Sequence, residues 1–97
     1  MKTNEQFQTK PTKIFLVQSE WADGVSYEIT QKAFSTYEKA KLYFDELAAD
    51  ARENDPLVAQ EGAEIEESEN EFEIFVDGFY GRSHFTISII PMDVDKD

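Results

Sequence analysis

The sequence contains no cysteine, a single histidine and no long hydrophobic run. Without cysteine the chain has no disulfides, no thiolate metal ligands and no cysteine nucleophile, which suits a reducing compartment such as the cytoplasm. Its longest apolar run, Ile14–Val17, is far shorter than the roughly 20 residues that a membrane-spanning helix needs. The first residues also lack the apolar core of a signal peptide. We therefore expect a soluble cytoplasmic protein that has no membrane partner.

The residue patterns that usually carry catalysis are scarce as well. No glycine-rich phosphate-binding loop occurs, and the single histidine, His84, lies on a predicted strand whose alternation turns Ser83 to the opposite face. The segment Asp93–Asp97 resembles the start of a calcium loop, but the glycine and the closing glutamate of such a loop do not follow. No carboxylate pair is marked as buried. The sequence therefore predicts a protein that is not an enzyme and that uses no cofactor and no metal.

Basic residues become rare after Phe44. The net charge is +1 up to that residue and −13 from Asp45 onward, and residues 61–73 alone contain seven glutamates. A surface of this sign repels nucleic acid and anionic membranes and attracts basic proteins. We therefore expect no direct contact with nucleic acid, and a basic protein as partner.

The first half of the chain predicts a hairpin. Residues 1–11 are polar and are expected to form a mobile arm. A β-branched and aromatic strand follows over Thr12–Glu20, and Asp-Gly chemistry predicts a turn over Trp21–Gly24. Residues 25–34 alternate between apolar and polar side chains, as a second strand does.

A helix is predicted next. Ser35 and Glu38 have the spacing of a capping box, and Pro56 ends the helix after Asn54. Apolar residues at three- and four-residue spacing form one stripe along it; they are Tyr37, Ala40, Phe44, Leu47, Ala48 and Ala51.

The remaining residues predict two more strands. Leu57–Ala59 is expected to be one helical turn or a plug under the sheet, and residues 61–71 an acidic loop. Alternation then predicts strands at residues 72–77 and 83–90, joined by a glycine-containing turn. Pro91 weakens or ends the last strand, and residues 93–97 form an acidic tail.

These elements predict an α+β fold: a single domain over residues 12–92 in β-β-α-β-β order, with an antiparallel sheet and one main helix packed on a face. The first and last strands are apolar on both faces, although one helix covers only one face. We therefore expect the second face to pack either on Leu57–Val58 or on a second copy of the chain, as a homodimer.

A resemblance supports the fold. Lys13–Val17, followed by Ala33–Lys41, is similar to a pattern in small bacterial and phage proteins in which a β-hairpin runs into F-S-T-x-E-K-A and a helix. The resemblance covers about the first half of the chain and implies the fold, with no functional residues. In size and acidity the chain is also similar to phage-encoded inhibitors and to immunity proteins of nuclease toxins.

Two functional hypotheses follow. In the first, a binding module presents acidic residues to a basic partner, as a nucleic-acid mimic of bacterial or phage origin would; the predicted surface comprises Asp45, Asp50, Glu61, Glu64, Glu66, Glu67, Glu69, Glu71 and Glu73. Trp21, Phe79 and Tyr80 are candidate aromatic anchors, although the position of Trp21 at a turn favours packing onto the edge of the core. In the second, a structural or regulatory subunit dimerises through an apolar sheet face, and its acids serve only solubility.

Overall fold

Five antiparallel strands form one sheet, and one α-helix packs across a face of it. The computed structural model describes residues 12–23, 25–78 and 81–94. In chain order the elements are β1 (Thr12–Ala22), β2 (Tyr27–Phe34), α1 (Tyr37–Asn54), a short 3-10 helix (Pro56–Ala59), β3 (Glu64–Glu67), β4 (Glu71–Gly78) and β5 (Gly81–Val94). The strands lie in the order β2-β1-β5-β4-β3, and every neighbouring pair is antiparallel. The predicted α+β class and the single domain are confirmed, whereas the predicted arm at residues 1–11 lies outside the described residues.

The acidic segment after the helix contains a strand that is not expected from the sequence. Glu64–Glu67 pairs with β4, with Glu64 opposite Phe75 and Glu67 opposite Phe72. The backbone N–H of Ser68 donates to the carbonyl oxygen of Glu71 at 2.8 Å and closes the turn between the two strands. Backbone pairing thus overrides the low strand propensity of glutamate. The predicted loop at residues 61–71 is wrong for residues 64–67 and for Glu71, at which β4 begins, and the order of elements is β-β-α-β-β-β.

The helix begins one residue later than the capping box predicts. Thr36 is the N-cap, with extended backbone angles (φ −133°, ψ 154°), and its side chain accepts a hydrogen bond from the backbone N–H of Lys39 at 3.2 Å. At the other end the helix stops at Asn54, as Pro56 predicts. The Asp55 carboxylate then accepts from the N–H of Leu57 at 2.9 Å and caps the 3-10 helix.

The core lies between α1 and the sheet. It consists of Val17, Ala40, Phe44, Ala48, Ala51, Leu57, Phe72, Ile74, Val76, Ile87 and Ile89. The predicted helical stripe is confirmed, because four of its members are buried and Tyr37 and Leu47 pack against them. The alanines allow the helix backbone to approach the strands closely. Since Leu57 belongs to this same core, the expectation that it covers the second face of the sheet is wrong.

Strand β5 continues past Pro91, although a proline is expected to weaken or end a strand. The N–H of Ile89 donates to the carbonyl oxygen of Asn70 on the β4 side of the strand. Backbone N–H groups two residues apart point to the same side of a strand, so an N–H at Pro91 would also point toward β4. Because β4 starts at Glu71, it has no residue opposite that position. The proline therefore costs no ladder hydrogen bond. Asp93, predicted to lie in an acidic tail, instead pairs with Lys13 of β1 (Nζ to Oδ1, 3.6 Å).

Strand β1 also runs further than predicted and includes Trp21 and Ala22. The reversal that follows is held by Asp23, whose carboxylate accepts from the backbone N–H groups of Val25 at 2.9 Å and Ser26 at 2.7 Å. These two hydrogen bonds lower the pKa of Asp23, the bond from Ser26 having the larger effect. Within the described residues, no helix has both the length and the hydropathy to cross a membrane.

Candidate interaction surface on the open face of the sheet

The sheet has one covered and one open face. Side chains alternate along a strand, and residues that lie opposite each other in register share a face. The helix covers the face that carries Val17, Ile74 and Ile87. The opposite face, which we call the open face, is formed by the even-numbered residues of β1, β3 and β5 and the odd-numbered residues of β2 and β4.

Four glutamates gather on the open face where β3 and β4 meet. This acidic cluster consists of Glu64, Glu66, Glu71 and Glu73. Glu66 lies directly opposite Glu73, a position at which side-chain Cβ atoms are about 4.5–5.5 Å apart and like charges are destabilising. Within the described part of the chain none of the four forms an ion pair. Their mutual repulsion is therefore not offset by a direct ion pair among the described residues.

A cation on the same face, Arg82, is already engaged. Its Nε lies 2.9 Å from the Oδ1 of Asp77, and its guanidinium carbon lies 4.4 Å from the centre of the Phe75 ring. The hydrogen bond that it donates to Asp77 raises the pKa of Arg82, and the negative charges of Glu73 and Glu64 raise it further. The acidic cluster thus attracts Arg82 at a distance, while the arginine itself is hydrogen-bonded to Asp77.

The other predicted acidic residues do not join the acidic cluster. Glu67 lies on the helix-covered side, where it forms an ion pair with Arg52, which also stacks on the Phe72 ring at 5.1 Å. Glu61 and Glu69 lie outside the strands, in the connections that flank β3.

The two helical candidates have partners on the helix. Asp45 lies 3.5 Å from the Nζ of Lys41, and Asp50 accepts a hydrogen bond from the side chain of Asn54 at 2.8 Å. The nine predicted acids therefore fall into one group of four on the open face and five others distributed over the rest of the domain.

A shallow depression of about 230 Å³ lies at the β3–β4 end of the sheet. Its lining is Glu66, Glu67, Ser68, Glu71 and Glu73. Within the described ranges, no three histidine, aspartate or glutamate side chains are grouped to hold a metal ion. The chemistry available here is the attraction of positive charge at an exposed surface.

The open face also carries an apolar patch at its other end. This patch consists of Ile14, Leu16, Ala33, Ile90 and Met92, in which Leu16 lies opposite both Ala33 and Ile90. Met92 is exposed over 44% of its surface, whereas Ile14, Leu16 and Ile90 are half-buried. The sequence predicts apolar surface on this face, and the strand register identifies the residues that form it.

The predicted aromatic anchors have different outcomes. Trp21 is half-buried and packs against the core from β1, as the packing alternative predicted. Phe79 and Tyr80 lie outside the described residues. His84 is half-buried on the open face, opposite Phe75 and Ala22, and Ser83 lies on the other face, as the alternation predicted.

Comparisons with protein-family models, curated proteins and solved structures found no match. The geometry of the open face is therefore the basis for any functional assignment. The sequence did contain a signal for the acidic cluster. Glu64 and Glu66 flank Ile65, and Glu71 and Glu73 flank Phe72. A spacing of two residues is the period of a strand with one charged face.

Proposed function

We propose that this chain is a non-enzymatic, cytoplasmic binding module that presents the acidic cluster to a basic partner protein. The observation that carries the proposal is the placement of Glu66 directly opposite Glu73, with no cation in ion-pair contact with either carboxylate among the described residues. Such a pair costs folding free energy. A partner that places lysine or arginine between these carboxylates removes that cost on binding, in addition to forming its own ion pairs.

The acidic cluster is also preorganised. Glu71 and Glu73 project from β4, which is hydrogen-bonded on both sides, so their spacing is fixed before a partner arrives. Binding then loses less conformational entropy than it would at a flexible acidic loop. Attraction between the acidic cluster and a basic surface also accelerates encounter, and the acceleration falls as salt rises.

Simpler roles for the acids explain only part of the arrangement. Charged residues on an edge strand discourage unwanted strand pairing, which accounts for Glu64 and Glu66 on β3. Glu71 and Glu73 lie on β4, which is not an edge. Solubility requires net charge but not two carboxylates directly opposite each other.

The spacing favours a partner that binds nucleic acid. Carboxylates on one face repeat about every 6.8 Å along a strand and about every 4.8 Å between strands, while each strand of B-DNA carries a charge about every 3.4 Å along its axis. Two short rows of carboxylates thus offer a charge density that a groove built for phosphates can accept. The proposed partner is a basic protein with such a groove, for example a nuclease or a DNA-binding protein, which this module would inhibit.

The experiment compares two quadruple variants that carry the same net charge. One neutralises the acidic cluster (E64Q, E66Q, E71Q and E73Q), and the matched control neutralises four exposed acids elsewhere (E46Q, D50N, E53Q and E61Q). Each variant and the natural protein are used to capture partners at low and high salt, with mass spectrometry as the readout. We expect basic proteins to be captured at low salt by the natural protein and the control only, and double-stranded DNA to compete with them. Equal capture by both variants would contradict the proposal.

The apolar patch supports a second candidate function, a subunit that dimerises through the open face. Leu16 and Ile90 lie opposite each other at its centre, and no described element covers them. Burying such residues between two copies is favourable and is not weakened by salt. L16E would disrupt this dimer and leave the acidic cluster intact, so sedimentation of L16E at high salt separates the two functions.

A further inference from the structure

Strand β2 forms one outer edge of the sheet, and its edge is open in the described part of the chain. Seven of its eight residues are exposed. It contains no proline, and it pairs with β1 without interruption from Tyr27 to Phe34. An outer strand of this length leaves a row of N–H and C=O groups free to pair with another strand.

The two charges on β2 are arranged so that the strand complements itself. Consider a second copy whose β2 runs antiparallel beside the first, with a two-fold axis perpendicular to the sheet at Thr30. Glu28 then lies opposite the partner's Lys32, and Lys32 lies opposite the partner's Glu28. An axis at Ile29 or at Gln31 keeps the faces matched but moves Glu28 and the partner's Lys32 from directly opposite to diagonal positions, where their attraction is weaker. One register is therefore selected by charge.

Neither charge has an oppositely charged partner in the part of its own chain that the structure describes. Among the described residues Glu28 and Lys32 form no ion pair. The Nζ of Lys32 lies 5.7 Å and 5.0 Å from the centres of the Phe34 and Tyr43 rings, which keeps the side chain on the same face as Glu28.

We propose that β2 is a homodimer interface, at which two copies join their sheets edge to edge around a two-fold axis at Thr30. The exposed apolar residues of the strand fit this register. Tyr27 and Ile29 are 61% and 45% exposed. In the dimer Tyr27 lies opposite the partner's Ala33, and Ile29 is the diagonal neighbour of the partner's Ile29, within reach for side-chain contact. Opposite-charge pairs and apolar pairs then act on opposite faces of the joined sheet.

The test is a charge exchange across the proposed axis, read by sedimentation equilibrium over the micromolar to millimolar range. E28K places two lysines opposite each other at both symmetry-related sites, and K32E does the same with glutamates. We expect each single variant to weaken the dimer by about ten- to thirtyfold, because two favourable pairs become two unfavourable ones. The double variant E28K/K32E restores both pairs with exchanged signs, so the dimer should return.

K39E is the matched control, since it changes an exposed lysine on the first turn of α1, outside β2. Circular dichroism and thermal melting of each variant separate loss of the dimer from loss of the fold. A natural protein that is monomeric at millimolar concentration overturns the proposal. A dimer whose affinity E28K does not change also overturns it, as does a dimer that the double variant fails to restore. The proposal is overturned as well if L16E dissociates the dimer while the charge variants of β2 do not.

Discussion

Replacing Glu66 by lysine should stabilise the folded protein, although it places a new side chain on an already paired strand. Glu66 lies opposite Glu73 and diagonal to Glu71 on the open face. The variant E66K turns both repulsions into attractions. Lysine and glutamate are similarly disfavoured in strands, so the strand propensity of the position hardly changes.

The magnitude follows from the spacing. Two charges about 5 Å apart in water interact by about 0.8 kcal/mol, which screening at physiological ionic strength reduces to about 0.4 kcal/mol. Glu71, about 7 Å away, adds about 0.25 kcal/mol on the same basis. Glu64 is omitted because it is close in sequence and repels Glu66 in the unfolded chain as well. Reversal of the charge doubles the sum, so E66K should raise the free energy of unfolding by about 1.3 kcal/mol.

The assay is urea denaturation at low and high salt, with E61K as the control. Glu61 is exposed in the loop before β3, and E61K changes the net charge by the same amount. It should shift the stability by less than about 0.5 kcal/mol. In 1 M NaCl the screening length falls to about 3 Å, so the gain from E66K should shrink to about 0.4 kcal/mol. If E66K is no more stable than E61K at low salt, Glu73 and Glu71 do not repel Glu66 measurably. The main support for the binding proposal is then lost.

Three further predictions test the fold. F44A should lower the free energy of unfolding by about 3–5 kcal/mol, because the Phe44 ring is fully buried, whereas L42A should change it by less than about 0.5 kcal/mol, because Leu42 is 63% exposed; urea denaturation measures both. T36A should cost about 1 kcal/mol through loss of the N-cap, and S35A should be nearly neutral, by the same measurement. D23A should lower the melting temperature at neutral pH. The pKa of Asp23 in the folded protein lies below its ordinary value of 3.8, so this difference should be complete above pH 3.8 and should be lost as the pH falls further, through the pKa of the folded protein. A difference unchanged at low pH would contradict the role of the carboxylate.

The elements with a strong local signal could be predicted from the sequence. The stripe containing Ala40, Phe44 and Ala48 has the period of a helix, and Pro56 fixes the end of that helix. The start was less certain because Ser35 and Thr36 are both good caps, and only the backbone conformation decides between them. Strand β3 was missed because glutamate has a low strand propensity, and its pairing with β4 is a tertiary interaction.

The acidic cluster was predicted only as part of a larger acidic surface. All of its members are glutamates in a dense run, and composition does not distinguish Glu66, which faces the open side, from Glu67, which meets Arg52 on the covered side. The distinction depends on strand parity, which exists only once β3 is recognised as a strand. The charge match on β2 could not be predicted from the sequence for a similar reason. The spacing of Glu28 and Lys32 suggests a self-complementary strand only when β2 is known to be an edge of the sheet.

The two edges of the sheet together determine how far assembly can proceed. Pairing through β2 uses the same strand from both copies, so it consumes both open edges and closes the dimer. The outer strands of the joined sheet are then both β3, which has four residues, three of them glutamates. Two such strands repel each other, and a short charged edge is a poor template for further pairing. Edge-to-edge growth should therefore stop at two copies, with the two acidic clusters at opposite ends of a ten-stranded sheet, roughly 40 Å apart at the usual strand spacing. That arrangement leaves both clusters free, so a dimer would bind two basic partners, or two basic sites on one partner, without competition between its interfaces.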